Sequence, residues 1–318
     1  MTPRRRRTIR GYEPRHRRER PRRRRGPLSA VVALVLVVGA TAAGLLVTPR
    51  HATGSSPTPF YVDVGASASL GVQPTGNPAH NGAFTKEGYG DEVVRIEAAK
   101  GTKLVLHKIG CMGETAQSMA GAGDHCYKLP ATQLTTAEAF LRSHRNDPGV
   151  VSIDLGFNNV RPCLWVVPLA TACVNTGIAE VKKDLPGILH QLTSAAGPQV
   201  HLVGLTYADP FLFRYLKVSP GPARATESLA DMERLDGVLT AAYRAAGVAV
   251  ANVAAAFDST DTKPTTLTHY GQVPTNVARI CQLTWMCAAY PFGPDDHPNK
   301  TGYYVIAQTI IAALPSSI

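Results

Sequence analysis

Short apolar runs alternate with helix-like segments through most of the chain. The strand candidates are 60–64 (FYVDV), 102–107 (TKLVLH), 149–155 (GVVSIDL), 200–206 (VHLVGLT) and 247–253 (GVAVANV). Runs that are apolar at successive positions are typical of strands buried on both faces. Regular alternation of such strands with helices predicts a parallel sheet between two layers of helices.

Helical periodicity occupies the intervals between these runs. One apolar stripe contains Val181, Leu185, Ile188, Leu189 and Leu192. It predicts a helix that Pro186 is expected to kink. A second stripe runs over 229–243, and a last helix is expected at 301–314. Thr135, followed three residues later by Glu138, resembles a capping box and predicts that a helix begins there.

A different pattern precedes the alternation. Residues 28–47 are twenty residues without a charge, and as a helix they are about 30 Å long, enough to span a bilayer core. Arginines precede this run, so the positive-inside rule predicts a cytoplasmic N-terminus and an extracellular body. We expect a single-pass signal anchor in the cell membrane, although a cleaved, long secretory signal that would release the body stays open.

Charge is concentrated at the N-terminus. The first 25 residues hold 13 Arg and 2 acidic residues, whereas the rest of the chain carries 20 basic and 21 acidic residues. We therefore expect 1–27 to be a cytoplasmic, disordered arm that contacts anionic lipid, and we expect no nucleic-acid partner. Residues 48–58 are rich in Pro, Ser and Gly and read as a linker, which leaves 59–318 as one domain.

The six cysteines all lie in the predicted extracellular body. An even number in an oxidising compartment predicts three disulfides. Pairing between neighbours closes the shortest loops and is the pairing predicted here: Cys111–Cys126, Cys163–Cys173 and Cys281–Cys287. No cysteine or histidine spacing resembles a zinc site, so neither a metal nor a cofactor is expected.

Four polar stretches lie where a parallel sheet would bring them together. Ser67 follows FYVDV, Gly113 follows TKLVLH, Asn158 follows VVSID, and His297 lies just before the last helix. Sites in such folds form at the carboxyl ends of the strands. A serine nucleophile needs a base such as histidine, and an amide or a glycine N–H can stabilise an oxyanion. Each stretch alone is an ordinary turn, but the set favours a serine hydrolase.

The four blocks GASASLG, CMGET, GFNN and DDHPNKTGY resemble those of the SGNH/GDSL hydrolases, across 59–318 and most closely the secreted actinobacterial lipase/esterase-like members. The resemblance implies a flavodoxin-like three-layer α/β/α fold with a mainly parallel sheet. It also implies that Ser67 is the nucleophile and His297 the general base and acid. The oxyanion hole would consist of the Ser67 N–H, the Gly113 N–H and the Asn158 side chain.

Two positions depart from the family pattern near these groups. Ala66 stands where the family usually has Asp before the nucleophile, and Asn159 stands where Asp usually follows Asn158. The oxyanion donor is kept, but a supporting carboxylate is lost. Ser69, the competing serine, is out of register with the motif, so we expect it to be structural.

The acidic partner of His297 also departs from the family. Many members place Asp three residues before the histidine, where this chain has Pro294. Asp295 matches the D-x-H form of the secreted members and is the expected partner. Asp296 lies too close along the chain to be the first choice, and a dyad oriented by a backbone carbonyl stays open.

These residues predict a carboxylic ester hydrolase, most simply an esterase or lipase acting on lipid or fatty-acyl esters. Eight apolar residues near the site end either line a lipid pocket or belong to the core: Trp165, Tyr207, Phe211, Leu212, Phe213, Tyr215, Trp285 and Phe292. A polysaccharide acetylesterase, an acyltransferase that uses the same residues, and a non-catalytic membrane-tethered binding module are the alternatives.

Overall fold

The computed structural model describes residues 57–77, 82–123 and 125–315. The predicted arm at 1–27, the predicted transmembrane helix at 28–47 and most of the predicted linker lie outside these residues. Among the residues that are described, none belongs to a helix both long and apolar enough to cross a membrane.

Five parallel strands form the central sheet. They are β1 (Phe60–Gly65), β2 (Val105–Lys108), β3 (Gly149–Asp154), β4 (Val200–Leu205) and β5 (Ala249–Ala251). In space they run β2-β1-β3-β4-β5, and each neighbouring pair is parallel. This is the order of flavodoxin-like doubly wound folds, in which the crevice for ligands opens where the order reverses, here between β1 and β3.

Helices cover both faces of the sheet. Their bounds are α1 (Tyr89–Ala99), α2 (Gln133–Ser143), α3 (Phe157–Trp165), α4 (Thr171–Ala195), α5 (Gly221–Ala245), α6 (Val253–Ala256), α7 (Thr275–Leu283) and α8 (Lys300–Ala313). Helices α1 and α8 pack together on one face, whereas α2, α4 and α5 pack along the other. The three-layer α/β/α architecture predicted for this part of the chain is therefore observed.

The two layers are visible in individual contacts. Phe60 of β1 meets Phe140 of α2 edge to face, with 5.2 Å between ring centroids. On the same side, the Tyr243 ring of α5 occupies the space that a side chain at Gly204 would need. On the opposite side, a side chain at Gly90 of α1 would collide with the Asp63 carboxylate. Both glycines therefore let a helix pack closely against the sheet.

Two predicted strands extend two or three residues beyond the observed ones. Strand β2 begins at Val105 rather than at residue 102, because the Gly101 and Thr102 N–H groups close the end of α1 on Ala98 and Glu97. Strand β5 ends at Ala251 because Asn252 caps α6, accepting a hydrogen bond from the Ala255 N–H at 3.0 Å.

The predicted helices are present, but one start was wrong. The N-cap of helix α2 lies three residues earlier than Thr135: it is Thr132, which accepts from the Thr135 N–H at 3.2 Å. Helix α4 runs without a break across Pro186, and its predicted apolar stripe is buried.

The pattern analysis missed several elements. It did not predict the helices α1, α3, α6 and α7. It also did not predict two antiparallel strand pairs, which are Val72–Gln73 with Ala83–Phe84 and Pro264–Leu267 with Gly271–Pro274.

Three disulfides join the cysteine pairs that were predicted from their spacing: Cys111–Cys126, Cys163–Cys173 and Cys281–Cys287.

Candidate active site

Ser67 lies directly beyond the carboxyl end of β1. It is the residue before a short 3-10 helix, Ala68–Leu70, and it is partly exposed at the crevice between β1 and β3. Ser69 is instead buried, and its hydroxyl donates to the Ala66 carbonyl at 2.6 Å. Only one of the two serines therefore presents its hydroxyl to the crevice.

His297 approaches Ser67 from the loop before α8. Its Nε2 lies 2.9 Å from the Ser67 Oγ, although the two residues are 230 positions apart. Its Nδ1 lies 2.8 Å from an oxygen of Asp295, which also accepts the His297 backbone N–H at 2.9 Å. If Nδ1 carries the proton, Nε2 is free to accept the hydroxyl proton of Ser67.

The Asp295 carboxylate is suited to hold a protonated imidazole. Burial opposes its ionisation, but hydrogen bonds from His297 and the histidine charge outweigh burial and keep the Asp295 pKa below its ordinary value. The group is therefore anionic at neutral pH.

Asp296 points elsewhere. Its carboxylate pairs with both Nε and Nη2 of Arg161 on α3 and accepts from the Trp165 indole at 3.3 Å. Its closest oxygen is 3.9 Å from the His297 Nδ1. Of the two neighbouring carboxylates, Asp295 contacts the imidazole, and Asp296 ties the same loop to α3.

Backbone hydrogen bonds fix the loop that carries His297 to the end of α7. The Trp285 N–H donates to the His297 carbonyl at 3.1 Å, and the Asn299 N–H donates to the Leu283 carbonyl at 2.9 Å. Asn299 also caps α8, accepting from the Gly302 N–H at 3.0 Å. The Cys281–Cys287 disulfide spans the α7 side of this connection. The loop that carries the histidine is therefore attached to the end of α7 on one side and to the start of α8 on the other.

Gly113 lies in the turn that follows β2. The Glu114 N–H donates to the Cys111 carbonyl at 3.1 Å, and Gly113 has φ of +78°, a value that favours glycine. The Cys111 N–H continues the β1 ladder by donating to the Gly65 carbonyl at 2.9 Å. This turn is thus placed beside the residues that lead to Ser67.

Asn158 lies in the first turn of α3 and lines the same pocket as Ser67 and His297. Its Nδ2 donates to the Glu114 carbonyl at 3.1 Å, which orients the amide. An amide nitrogen carries two donors, so one remains for an oxyanion.

Asn159 supports the segment that follows Gly113, although it lacks the carboxylate that the family usually has at this position. Its Oδ1 accepts from the Ala116 N–H at 3.0 Å, and its Nδ2 donates to Glu180 on α4 at 3.0 Å. The other family departure, Ala66, is buried, and its N–H donates to the Asp154 carbonyl at 3.0 Å. Both replaced positions therefore keep hydrogen bonds that support the neighbouring blocks.

A buried network missed by the sequence analysis joins two of the blocks. Gln133, the first residue of α2, accepts from the Gly65 N–H at 2.6 Å and donates to the Gly65 carbonyl at 2.9 Å. The same amide donates to the buried Glu114 carboxylate at 2.8 Å. A glutamine at the start of an amphipathic helix has no distinguishing pattern in the sequence, so only the fold identifies this role.

The space beside Ser67, counted together with the open solvent at its mouth, is about 730 Å³. Its apolar wall includes Phe157, Leu205, Val253, Phe257, Ile280 and Ile306. Of the eight apolar residues that the sequence analysis offered, only Tyr207 lines the pocket. Phe211, Leu212 and Phe213 are buried in the core, and Trp285 stacks on Phe292 with 6.0 Å between ring centroids.

Asp154 also lines the pocket, beneath Ser67. It is buried, and one oxygen accepts from the Tyr207 hydroxyl. Burial raises the Asp154 pKa to about 6, although hydrogen bonds from Tyr207 and the Ser69 backbone act in the opposite direction. The last residue of a strand is a common position for a site carboxylate, but the family blocks do not include it.

Two described clusters bring together groups that could ligate a metal ion. Asp295, Asp296 and His297 lie close together, but they are engaged with one another, with Arg161 and with Ser67. In the second cluster, Cys111 and Cys126 form a disulfide beside His125 and so offer no thiolate. Neither arrangement is better explained by a metal than by the contacts just described.

Comparisons with known proteins agree with this architecture. No family model and no curated protein matches the sequence. Among solved structures, an extracellular lipase from Streptomyces rimosus is similar over 81% of this chain and 100% of its own, with 18% identity and a TM-score of 0.52. A phospholipase A1 from Streptomyces albidoflavus is similar over the same shares, with 18% identity and a TM-score of 0.51. The chain therefore has a three-layer α/β/α fold with a parallel central sheet, and it shares this fold with these two Streptomyces proteins.

Proposed function

We propose that the protein is a serine esterase or lipase that hydrolyses carboxylic esters at Ser67. The observation that carries the proposal is the hydrogen-bonded series from Ser67 through His297 to Asp295, with distances of 2.9 and 2.8 Å. This series opens into an apolar pocket at the carboxyl end of a parallel sheet. A nucleophile, a base and a group that orients the base, in contact in that order, are what acyl transfer to serine needs.

In the proposed reaction, the Ser67 Oγ attacks the ester carbonyl while the His297 Nε2 takes its proton. Asp295 holds the imidazole in the required tautomer and stabilises the cation that forms. His297 then returns the proton to the leaving alcohol, and an acyl-enzyme remains. Water, activated by the same imidazole, releases the acid and restores Ser67.

The negative charge that develops on the carbonyl oxygen needs donors. We assign this role to the Ser67 N–H, the Gly113 N–H and the Asn158 Nδ2. Support comes from the Asn158 hydrogen bond to Glu114, which brings the amide next to the Gly113 turn. Donors fixed in advance by the fold stabilise an oxyanion without further reorganisation.

For the substrate we favour a lipid or fatty-acyl ester. The wall formed by Leu205, Val253, Phe257 and their neighbours offers an apolar surface of the kind that an alkyl chain prefers. The two similar structures are described as a lipase and a phospholipase A1. An acetyl ester would leave most of this wall without a partner.

We further propose that the catalytic domain acts outside the cell, tethered by the predicted anchor at 28–47 and with the basic arm at 1–27 near anionic lipid. Three disulfides support an oxidising compartment. The similar protein from Streptomyces rimosus is described as extracellular.

The test is active-site labelling of the full chain with a fluorophosphonate, together with hydrolysis of p-nitrophenyl esters of increasing chain length. We expect Ser67→Ala to abolish labelling and turnover. Ser69→Ala is the matched control, and it should keep both.

Labelling that survives in Ser67→Ala would place the nucleophile elsewhere. A folded wild type with all disulfides formed that neither labels nor hydrolyses any ester would favour the non-catalytic binding module. A preference for acetyl over longer chains would keep the enzyme but exclude the lipid substrate.

A further inference from the structure

A second cleft lies beside the active-site pocket, between the end of α3 and the segment that leads into α5. The space within the cleft, counted together with the solvent at its mouth, is about 690 Å³. Trp165 forms part of its wall and donates to Asp296, which lines the active-site pocket. The hydrogen bond between Trp165 and Asp296 therefore connects the linings of the two pockets.

The cleft is strongly basic. Arg214, Lys217 and Arg224 line it, and no carboxylate is among the described residues of its lining. Lys217 is exposed, with its ammonium 5.5 Å from the centre of the Phe213 ring. A concave surface with three cations and no anion attracts a negatively charged ligand.

Arg214 is the unusual member of the three because it is only 6% exposed. Its Nη2 donates to the Leu164 carbonyl at the end of α3. Its Nη1 is buried and has no hydrogen-bond partner among the described residues. An unpaired buried donor on a charged group is costly, and the negative charge of an anion bound against Arg214 would offset part of that cost.

The carboxylate that acts electrostatically on Arg214 does not supply this acceptor. Asp209 influences the guanidinium, yet its two oxygens accept from the Phe211 N–H at 2.9 Å and from the Ser228 hydroxyl at 2.7 Å. The Nη1 donor therefore still lacks an acceptor.

The N-terminus of α5 faces the same cleft. This helix has 25 residues and begins at Gly221, which lines the cleft. Its first turn contains no acidic residue and no side chain caps it. The Gly221 N–H donates to the Val218 carbonyl at 3.0 Å and Pro222 has no N–H, so the helix contributes mainly its partial positive charge. Helix N-termini carry partial positive charge and bind phosphate groups readily. The helix and the buried Arg214 are independent observations that point to the same kind of ligand.

The rim of the cleft is apolar and exposed. Val167 is 57% exposed and Val218 is 91% exposed, and they come from two different loops on either side of the cations. Val166, next to the rim, is 47% exposed. Exposed apolar side chains next to lysine and arginine are typical of surfaces that meet anionic lipid.

We propose that this cleft binds the headgroup phosphate of an anionic phospholipid, with Val167 and Val218 against the glycerol and the first part of the acyl chains. A free phosphate ion would use the cations but would leave the two valines without a role. The site adds a docking function to the molecule, and it does not depend on hydrolysis at Ser67.

The test uses Trp165 as a local reporter. The chain has two tryptophans, so Trp285→Phe leaves Trp165 as the only one, and Ser67→Ala in the same chain prevents hydrolysis. Dihexanoyl phosphatidylglycerol, kept below its critical micelle concentration, is titrated into the full chain while tryptophan fluorescence is followed. Dihexanoyl phosphatidylcholine and inorganic phosphate are titrated in parallel.

We expect a saturable response to phosphatidylglycerol and a weaker one to the other two probes. Lys217→Ala with Arg224→Ala should lower the affinity by on the order of tenfold or more, since each cation near an anionic lipid contributes about fivefold. Lys182→Ala with Lys183→Ala removes the same charge from exposed positions on α4 and should leave the affinity unchanged. Lys217→Ala with Arg224→Ala in the otherwise native chain should still hydrolyse a soluble short ester at the native rate.

Three results would overturn the proposal. The first is no saturable response to phosphatidylglycerol, the second is inorganic phosphate binding as tightly as the lipid, and the third is an equal loss of affinity in the α4 control. Inactivity of the native chain towards esters would contradict the proposed hydrolase and leave the lipid titration unaffected.

Discussion

At the scale of single residues, two adjacent carboxylates have different environments. Asp295 receives both the backbone and the ring N–H of His297, whereas Asp296 is held by Arg161 and Trp165. The two side chains have different partners, so one loop can orient the base and also attach it to α3.

Replacing these carboxylates one at a time should separate their effects. Asp295→Asn keeps the size of the side chain but removes the charge that stabilises the imidazolium, so we expect kcat to fall by about 10³–10⁴. Asp296→Asn removes an ion pair that does not touch the reacting atoms, and its kcat should stay within about tenfold of the native value. Steady-state hydrolysis of a soluble p-nitrophenyl ester measures both. Equal losses in the two variants would argue against Asp295 as the orienting group.

The residues that the sequence pointed to have recognisable chemistry in a recognisable order. Ser67, Gly113, Asn158 and His297 each follow a strand or precede a helix, and a parallel sheet brings such positions to one edge. Arg161 could not be found in this way, because its partner Asp296 is 135 residues away and nothing in the sequence around Arg161 indicates the pairing. Asp154 was missed likewise, since its partner Tyr207 is 53 residues away, whereas Tyr207 itself was among the candidates and lines the pocket.

At the scale of elements, helix α2 supports the active site through its first residue. Gln133 bonds both backbone groups of Gly65, two residues before Ser67, and also Glu114, the residue after Gly113. Thr132, which caps α2, fixes where that glutamine lies.

Gln133→Met should therefore weaken the fold, because it leaves the Gly65 N–H buried without its acceptor. We expect the free energy of unfolding to fall by about 1–3 kcal/mol, as measured by urea denaturation. Gln191→Met, on an exposed position of α4, is the control and should change stability little. Equal stability of Gln133→Met and the native chain would show that this hydrogen bond is dispensable.

The apolar wall of the pocket is assembled from several elements, and α6 contributes Val253. Because Val253 is almost fully buried, Val253→Phe should fill part of the pocket. We expect kcat/KM for long-chain esters to fall by about tenfold or more, while short-chain esters are hydrolysed almost as before. The ratio of the two rates across a series of p-nitrophenyl esters is the measurement. A uniform loss at all chain lengths would mean that this wall does not hold the acyl group.

Elements were predictable where the apolar pattern was strong. The strands β1, β3 and β4 were located from their apolar runs, and the helices α4, α5 and α8 from the apolar pattern between and after these runs. Strand β5 was expected to be longer, because VAVAN has no signal for the Asn252 cap other than the asparagine itself. The short antiparallel pairs are only two to four residues long, too short for periodicity to appear.

At the scale of the whole molecule, several aspartates have raised pKa values in the folded protein and therefore bind a proton more tightly than they do in the unfolded chain. Burial raises the pKa of Asp154 to about 6, that of Asp209 to about 7 and that of Asp236 to about 8. An unfolded aspartate releases its proton near pH 4. The folded state therefore binds more protons between those values, and stability should decline as the pH rises from about 4 towards 8.

The variant Asp236→Asn tests how much one of these carboxylates contributes to the decline of stability with rising pH. The asparagine oxygen can still accept the Tyr207 N–H, which lies 2.9 Å from the Asp236 carboxylate. We expect the variant and the native chain to have similar Tm at pH 4, and the variant to melt several degrees higher at pH 8. Thermal unfolding across this pH range is the measurement. A native Tm that rises between pH 5 and pH 8 in parallel with that of the variant would contradict this assignment.

Ser67 and His297 are 230 positions apart in the chain. This separation also determines at which stage of synthesis the proposed site can be assembled. A chain that is still being synthesised or exported can expose the serine long before the loop ahead of α8 exists. Activity in the proposed reaction must then wait for the closing segment, which docks on α7 beside the Cys281–Cys287 disulfide. In the proposed reaction, the order of the residues thus delays any activity of Ser67 until the segment that carries His297 has been made and has docked.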